Sequence, residues 1–122
     1  MVVEDNPSSM RLFSGLLRAA GYRVAESTSG EAALDAARAA PPRLILMDMQ
    51  LPGMDGLEVA RALRADPDTN GIPVVALTAH AMQGDAERAR AAGCCGYITK
   101  PIESARFTAQ IAEILRNSAA GP

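Results

Sequence analysis

Short apolar runs and stretches of helical periodicity alternate five times along this chain. No other feature narrows the possible folds so far. The first apolar run, residues 1–3, stops at Glu4-Asp5. Asn6-Pro7 then reads as a helix N-cap with proline at the first helical position. Met10, Phe13, Leu16, Leu17 and Ala20 follow at helical spacing, and Gly21 ends that helix. Residues 22–25 read as a second strand. Ser27-Thr28-Ser29-Gly30 caps a second helix whose apolar face is Ala33, Leu34 and Ala37, and Pro41-Pro42 breaks it. Residues 44–47 form an unbroken apolar run ending at Asp48, as suits a strand buried on both faces of a parallel sheet. A Pro- and Gly-rich loop over 51–56 leads to a third helix with Leu57, Ala60 and Leu63 inward. A fourth strand over 73–77 ends at Thr78. A fourth helix runs from about 82 to 92 and stops at Gly93, and a fifth strand, 96–99, ends at Lys100-Pro101. The last helix, about 104–116, buries Phe107, Ile111, Ile114 and Leu115. Five β-α units with short connections imply an α/β fold, a parallel sheet with helices on both faces.

At 122 residues the chain holds one domain, expected over 1–117 with a frayed tail at 118–122. Aromatic residues are 3% of it and Trp is absent, so Leu, Ile, Val, Met and Ala must supply the core. A formal net charge of −2 argues against a nucleic-acid partner, which calls for a basic face. No apolar run is long enough for a membrane span, and no signal-like segment opens the chain. Cys94 and Cys95 are too few and too close for a disulfide framework or a zinc site, so a reduced, cytoplasmic setting is expected. Only three residues precede the first acidic pair, which makes the first strand short.

In a parallel α/β sheet, ligands bind beyond the carboxyl ends of the strands. The residues that terminate the apolar runs there are Glu4 and Asp5, Asp48, Thr78 and Lys100. Three carboxylates drawn together repel; at an effective dielectric of about 20, each pair at ~4 Å costs about 4 kcal/mol. A hard divalent cation relieves that repulsion, and oxygen ligands select Mg²⁺ or Mn²⁺. Lys100 adds a positive charge, Thr78 a hydrogen-bond donor and Asp48 an oxygen nucleophile able to form an acyl phosphate. This is the equipment of phosphoryl transfer.

The stretches 2–7, 46–56, 77–79 and 97–102, in this order, resemble the receiver domain of two-component response regulators, a superfamily that includes the chemotaxis receivers. Within it the resemblance is greatest to single-domain cell-cycle regulators of the DivK type, on Glu4-Asp5-Asn6 and residues 72–79 and 97–102. The resemblance implies a flavodoxin-like (βα)5 fold with five parallel strands in the order 2-1-3-4-5. It implies that Asp48 accepts phosphate from a histidine kinase or histidine phosphotransfer protein. Asp5, Asp48 and the backbone carbonyl of Gln50 would hold Mg²⁺, with Glu4 acting through water. Lys100 would contact the phosphoryl group across a cis peptide to Pro101, Thr78 would bond a phosphoryl oxygen, and Tyr97 would turn inward behind it as a second switch residue. Gln50 and His80 stand where family members vary in phosphate lifetime, and are expected to tune water access. Receivers more often have two Asp where this chain has Glu4-Asp5, so tuning rather than loss of metal binding is expected.

The output implied is altered binding to a downstream protein, by a monomer or weak dimer. Catalysis would be limited to self-phosphorylation and autodephosphorylation. A receiver module cut from a hybrid histidine kinase or larger regulator would share these motifs. A flavodoxin-like cofactor carrier is disfavoured by the acidic pair after the first strand, where a phosphate-cradling loop is needed. A Mg²⁺-dependent phosphatase is disfavoured because Gln50 stands where a second catalytic acid would be. Asp55 reads as a turn residue, Cys94 as small buried filler and Cys95 as exposed. The fourth helix has a nearly all-Ala face (Ala86, Ala89, Ala92), so it is expected to be weakly packed and to shift on phosphorylation.

Overall fold

The computed structural model describes residues 1–49, 51, 53, 56–78, 85–99 and 102–119. The alternation is realised as β1 (Val2–Val3), α1 (Pro7–Ala19), β2 (Glu26–Ser27), α2 (Gly30–Ala39), β3 (Ile45–Asp48), α3 (Gly56–Ala65), β4 (Val74–Thr78), α4 (Asp85–Ala91), β5 (Gly96–Thr99) and α5 (Ser104–Ala119). All strand pairings are parallel and the order is β2-β1-β3-β4-β5, as the resemblance implied. Receivers share this flavodoxin-like (βα)5 architecture.

Strand alternation divides the core into two layers. Val3, Ile45, Met47, Val74 and Ala76 face α2, α3 and α4 and pack with Ala33, Leu34, Val59, Leu63, Ala89 and Ala92. Val2, Leu46, Val75, Leu77 and Ile98 face α1 and α5 and pack with Met10, Phe13, Leu17, Phe107 and Ile111. Every residue of β3 and β4 is buried, as a central parallel strand requires.

Local chemistry sets the helix ends. The Asn6 side chain accepts hydrogen bonds from the Ser8 and Ser9 amides at 2.9 and 3.1 Å, with Pro7 opening α1. At the other end, Gly21 lies at φ +97°. Its amide donates to the Arg18 carbonyl and that of Tyr22 to the Leu17 carbonyl, both at 3.0 Å. Ser29 caps α2 through the Ala32 amide. Gly93, at φ +105°, closes α4 as Gly21 closes α1, with Cys94 donating to the Ala89 carbonyl at 2.9 Å.

Some expectations are corrected. β2 is not residues 22–25 but Glu26–Ser27, paired with Val2 and Val3. Tyr22 is committed to the closing bond of α1, so the chain reaches the sheet edge only later; Tyr22 and Val24 instead pack partly against the α1/α5 layer. On α3, Val59 is buried with Ala60 and Leu63, while Leu57 lies at the margin of the stripe. α5 continues to Ala119, and its Ile114 and Leu115 are only partly buried. Cys94 is buried and Cys95 exposed, as expected. Burial pushes the Cys94 thiol up to about 11. The short β1 is extended by Met1, whose ammonium donates to the Leu44 carbonyl at 2.8 Å and whose carbonyl accepts from Leu46 at 2.8 Å. Burial holds that ammonium's pKa below its ordinary value.

Candidate metal and phosphoryl site

The carboxyl ends of β1, β3 and β4 meet along one edge of the sheet. The register places Val3 beside Met47 and Asp48 beside Leu77. Glu4 and Asp5 therefore leave β1 next to Asp48 at the end of β3. Each of the three offers a carboxylate oxygen within 4.8 Å of the others. Glu4 and Asp48 are buried, at 1% and 6% exposure, and Asp5 is exposed. Glu4 accepts a hydrogen bond from the Asn6 amide at 3.3 Å, which ties the acidic pair to the α1 cap.

Thr78 ends β4 one residue beyond the partner of Asp48 and is 5% exposed. Alternation continues Asp48 on the Leu46 side of the sheet and Thr78 on the Ala76 side. Tyr97 pairs with Ala76, two residues below Thr78 on that side, and is partly buried against the α2/α3/α4 layer. Lys100 follows Thr99, the last residue of β5, directly in the chain. Lys100, Pro101, Gln50 and His80 lie outside the described residues, as do Asp55 and Met82.

The donor set fits a hard cation. Three carboxylates within 4.8 Å, two of them buried, repel by about 3–4 kcal/mol per pair at an effective dielectric of about 20. Oxygen ligands with one exposed member suit Mg²⁺, which keeps several waters and leaves coordination positions for a phosphoryl oxygen. Asp5 is the exposed member of the set, and Glu4 and Asp48 are the buried ones.

The Asp48-Met49 backbone is held on both sides. The Met49 amide donates to the Leu77 carbonyl of β4 at 2.9 Å, and the Gly56 amide of α3 donates to the Met49 carbonyl at 3.3 Å. The approach of Gly56 to this segment escaped the reading of the sequence, where it is only the last residue of a Gly-containing loop. The one signal available was a glycine opening a helix just after the loop that follows Asp48.

Residues 1–112 match the family model described as the response regulator receiver domain. The chain is 50% identical over 115 residues, 94% of either chain, to the polar-differentiation response regulator DivK of Brucella ovis. DivK of Brucella anthropi matches to the same extent. Among solved structures, the receiver domain of sensor histidine kinase PA1611 from Pseudomonas aeruginosa superposes with a TM-score of 0.84 at 36% identity, over 98% of this chain and 95% of that one. That structure has a magnesium ion coordinated in its active site cleft. Chemotaxis protein CheY4 of Vibrio cholerae superposes with a TM-score of 0.88 at 26% identity, over 93% of this chain and 94% of that one.

Proposed function

The chain belongs to the family of response regulator receiver domains, is of the DivK type and acts as a phosphoacceptor in two-component signalling; on that footing we propose that Asp48 is its phosphoacceptor and that Asp5, Asp48 and the Gln50 carbonyl hold Mg²⁺, with Glu4 acting through water. The observation behind this reading is the convergence of Glu4, Asp5 and Asp48 within 4.8 Å at the carboxyl edge of the sheet. Mn²⁺ satisfies the same oxygen donors. Bound there, the cation neutralises the carboxylates and draws electron density from the phosphoryl oxygens.

An Asp48 carboxylate oxygen attacks the phosphorus of a phosphohistidine on a histidine kinase or phosphotransfer protein. The P–N bond breaks, the imidazole leaves, and an acyl phosphate remains on Asp48. The Lys100 ammonium balances charge on the phosphoryl oxygens. The Thr78 hydroxyl donates to one of those oxygens, and Tyr97 follows on the same side of the sheet. A dianionic group pulling on Thr78 and Lys100 supplies the differential interaction that a conformational change requires. Water later attacks the acyl phosphate, with Gln50 and His80 governing its access. Turnover is confined to this gain and loss of phosphate, and the output is altered binding to a downstream protein. No helix among the described residues is long and apolar enough to cross a membrane. We place the protein in the cytoplasm, where its phosphodonors are.

The test is incubation with acetyl phosphate and Mg²⁺ followed by intact mass measurement of the unaltered chain and of Asp48→Asn. One phosphoryl mass is expected on the first and none on the second. Labelling of Asp48→Asn to the same extent would overturn the assignment of the acceptor.

A further inference from the structure

We propose that Gly56 is a positioning residue for the phosphoacceptor end of β3; this deepens, and rests on, the assignment of Asp48 above. Gly56 is the first residue of α3 and is buried. A Cβ at this position would lie 2.7 Å from the Asp48 carbonyl oxygen, 2.8 Å from the Met49 Cα and 2.7 Å from the Met49 Cε. Two of those three atoms are backbone, so rotating a side chain away cannot relieve the clash. Torsion is not the reason for glycine here. The described glycines at positive φ are Gly21, Gly53 and Gly93, and Gly56 is not among them. The requirement is space.

That space lets α3 abut the chain on which the site depends. The Gly56 amide holds the Met49 carbonyl while the Met49 amide holds β4. Asp48 and Met49 are thereby clamped between a helix start and a neighbouring strand. Adding a methyl at 56 must either push α3 away or displace the Asp48-Met49 backbone, and with it the carboxylate now within 4.8 Å of Glu4 and Asp5. Mg²⁺ demands near-ideal octahedral geometry, so a shift of a few tenths of an ångström is felt in its affinity.

Two other glycines calibrate the test. At Gly15 a Cβ would meet nothing within 4 Å. At Gly96 it would come 3.0 Å from Ile114 Cδ1, the mobile end of a side chain remote from the carboxylates. Gly56→Ala, Gly96→Ala and Gly15→Ala would be compared by calorimetric titration with Mg²⁺ and by the rate of labelling from acetyl phosphate, on protein verified as folded by circular dichroism. Gly56→Ala is expected to lose about tenfold or more in Mg²⁺ affinity and in labelling rate, the size seen when support of a metal ligand or reacting group is disturbed. The two control variants are expected to stay within about twofold of the unaltered chain. A folded Gly56→Ala with unaltered affinity and rate would overturn the proposal. If Gly56→Ala does not fold, amide NMR of the unaltered chain decides. On titration with Mg²⁺ the Gly56 resonance should move together with those of Asp48 and Met49 while that of Gly15 stays, and a stationary Gly56 resonance would overturn the proposal. Failure of the acceptor assignment would look different, since Asp48→Asn would then label like the unaltered chain whatever the Gly56 variant does.

Discussion

The two helical layers meet at the same sheet edge but are built from different material. On one side, α1 and α5 run 13 and 16 residues and bring Phe13 and Phe107 together with ring centroids 5.8 Å apart, flanked by Leu17 and Ile111. On the other, α4 has seven described residues, and Ala89 within it and Ala92 just after it are the buried side chains among those described there. Burying a Phe contributes roughly 1.5–3 kcal/mol, whereas a single methyl contributes about 0.8 kcal/mol. Over the described residues, one layer meets the sheet with large side chains and the α4 end of the other meets it with small ones. A site at their common edge can therefore alter the light element without disturbing the heavy one.

The largest effect that could break this contrast comes from truncating each side in turn. Phe107→Ala should cost about 3–5 kcal/mol in urea denaturation, from lost transfer energy and the cavity left behind. Ala89→Gly should cost about 2 kcal/mol, shared between helix propensity and the lost buried methyl. Equal costs would mean that α4 is as firmly seated as α5. Amide exchange would sharpen the contrast: a phosphoryl mimic at Asp48 should change protection in α4 and β5 several-fold more than in α1. Equal responses in both would dissolve it.

The smallest effect concerns the other end of the same layer. Arg38 of α2 donates to Asp66, just after α3, at 2.7 Å, and Asp66 also accepts from the Asp68 amide at 2.9 Å. The Asp68 amide first, and the Arg38 guanidinium second, hold the Asp66 carboxyl below its ordinary value. A carboxylate with a depressed folded pKa adds stability above its unfolded pKa and loses that contribution as pH falls through the lower, folded value. Arg38→Ala should move the Asp66 titration upward toward the ordinary value, read by carbon NMR, with only a slight change in stability because the pair is exposed. An unmoved titration would leave the Asp68 amide as the whole cause.

Much of this molecule can be read from residue order. The strand ends that carry Glu4, Asp48 and Thr78 are legible because each interrupts an apolar run, and a parallel sheet aligns such interruptions on one edge. The caps at Asn6, Gly21 and Gly93 are legible because each rests on chemistry within a few residues. β2 is not, because Tyr22 looks like a strand residue until the closing bond of α1 claims its amide. Leu57 misleads because periodicity gives the centre of a helix stripe more reliably than its margin. The demand for glycine at 56 is only faintly marked in the sequence, since the atoms it must avoid belong to a strand end that only the folded path brings alongside.

The opposite facing of Asp48 and Thr78 has a consequence of its own. Their strands are adjacent, yet strand alternation carries Asp48 onto the Leu46 side of the sheet and Thr78 onto the Ala76 side. Anything large enough to touch both is a strap across the seam between those sides, and what gives when it tightens is the lighter of the two. A small addition at the rim can thus be sensed on surfaces that share no atoms with it.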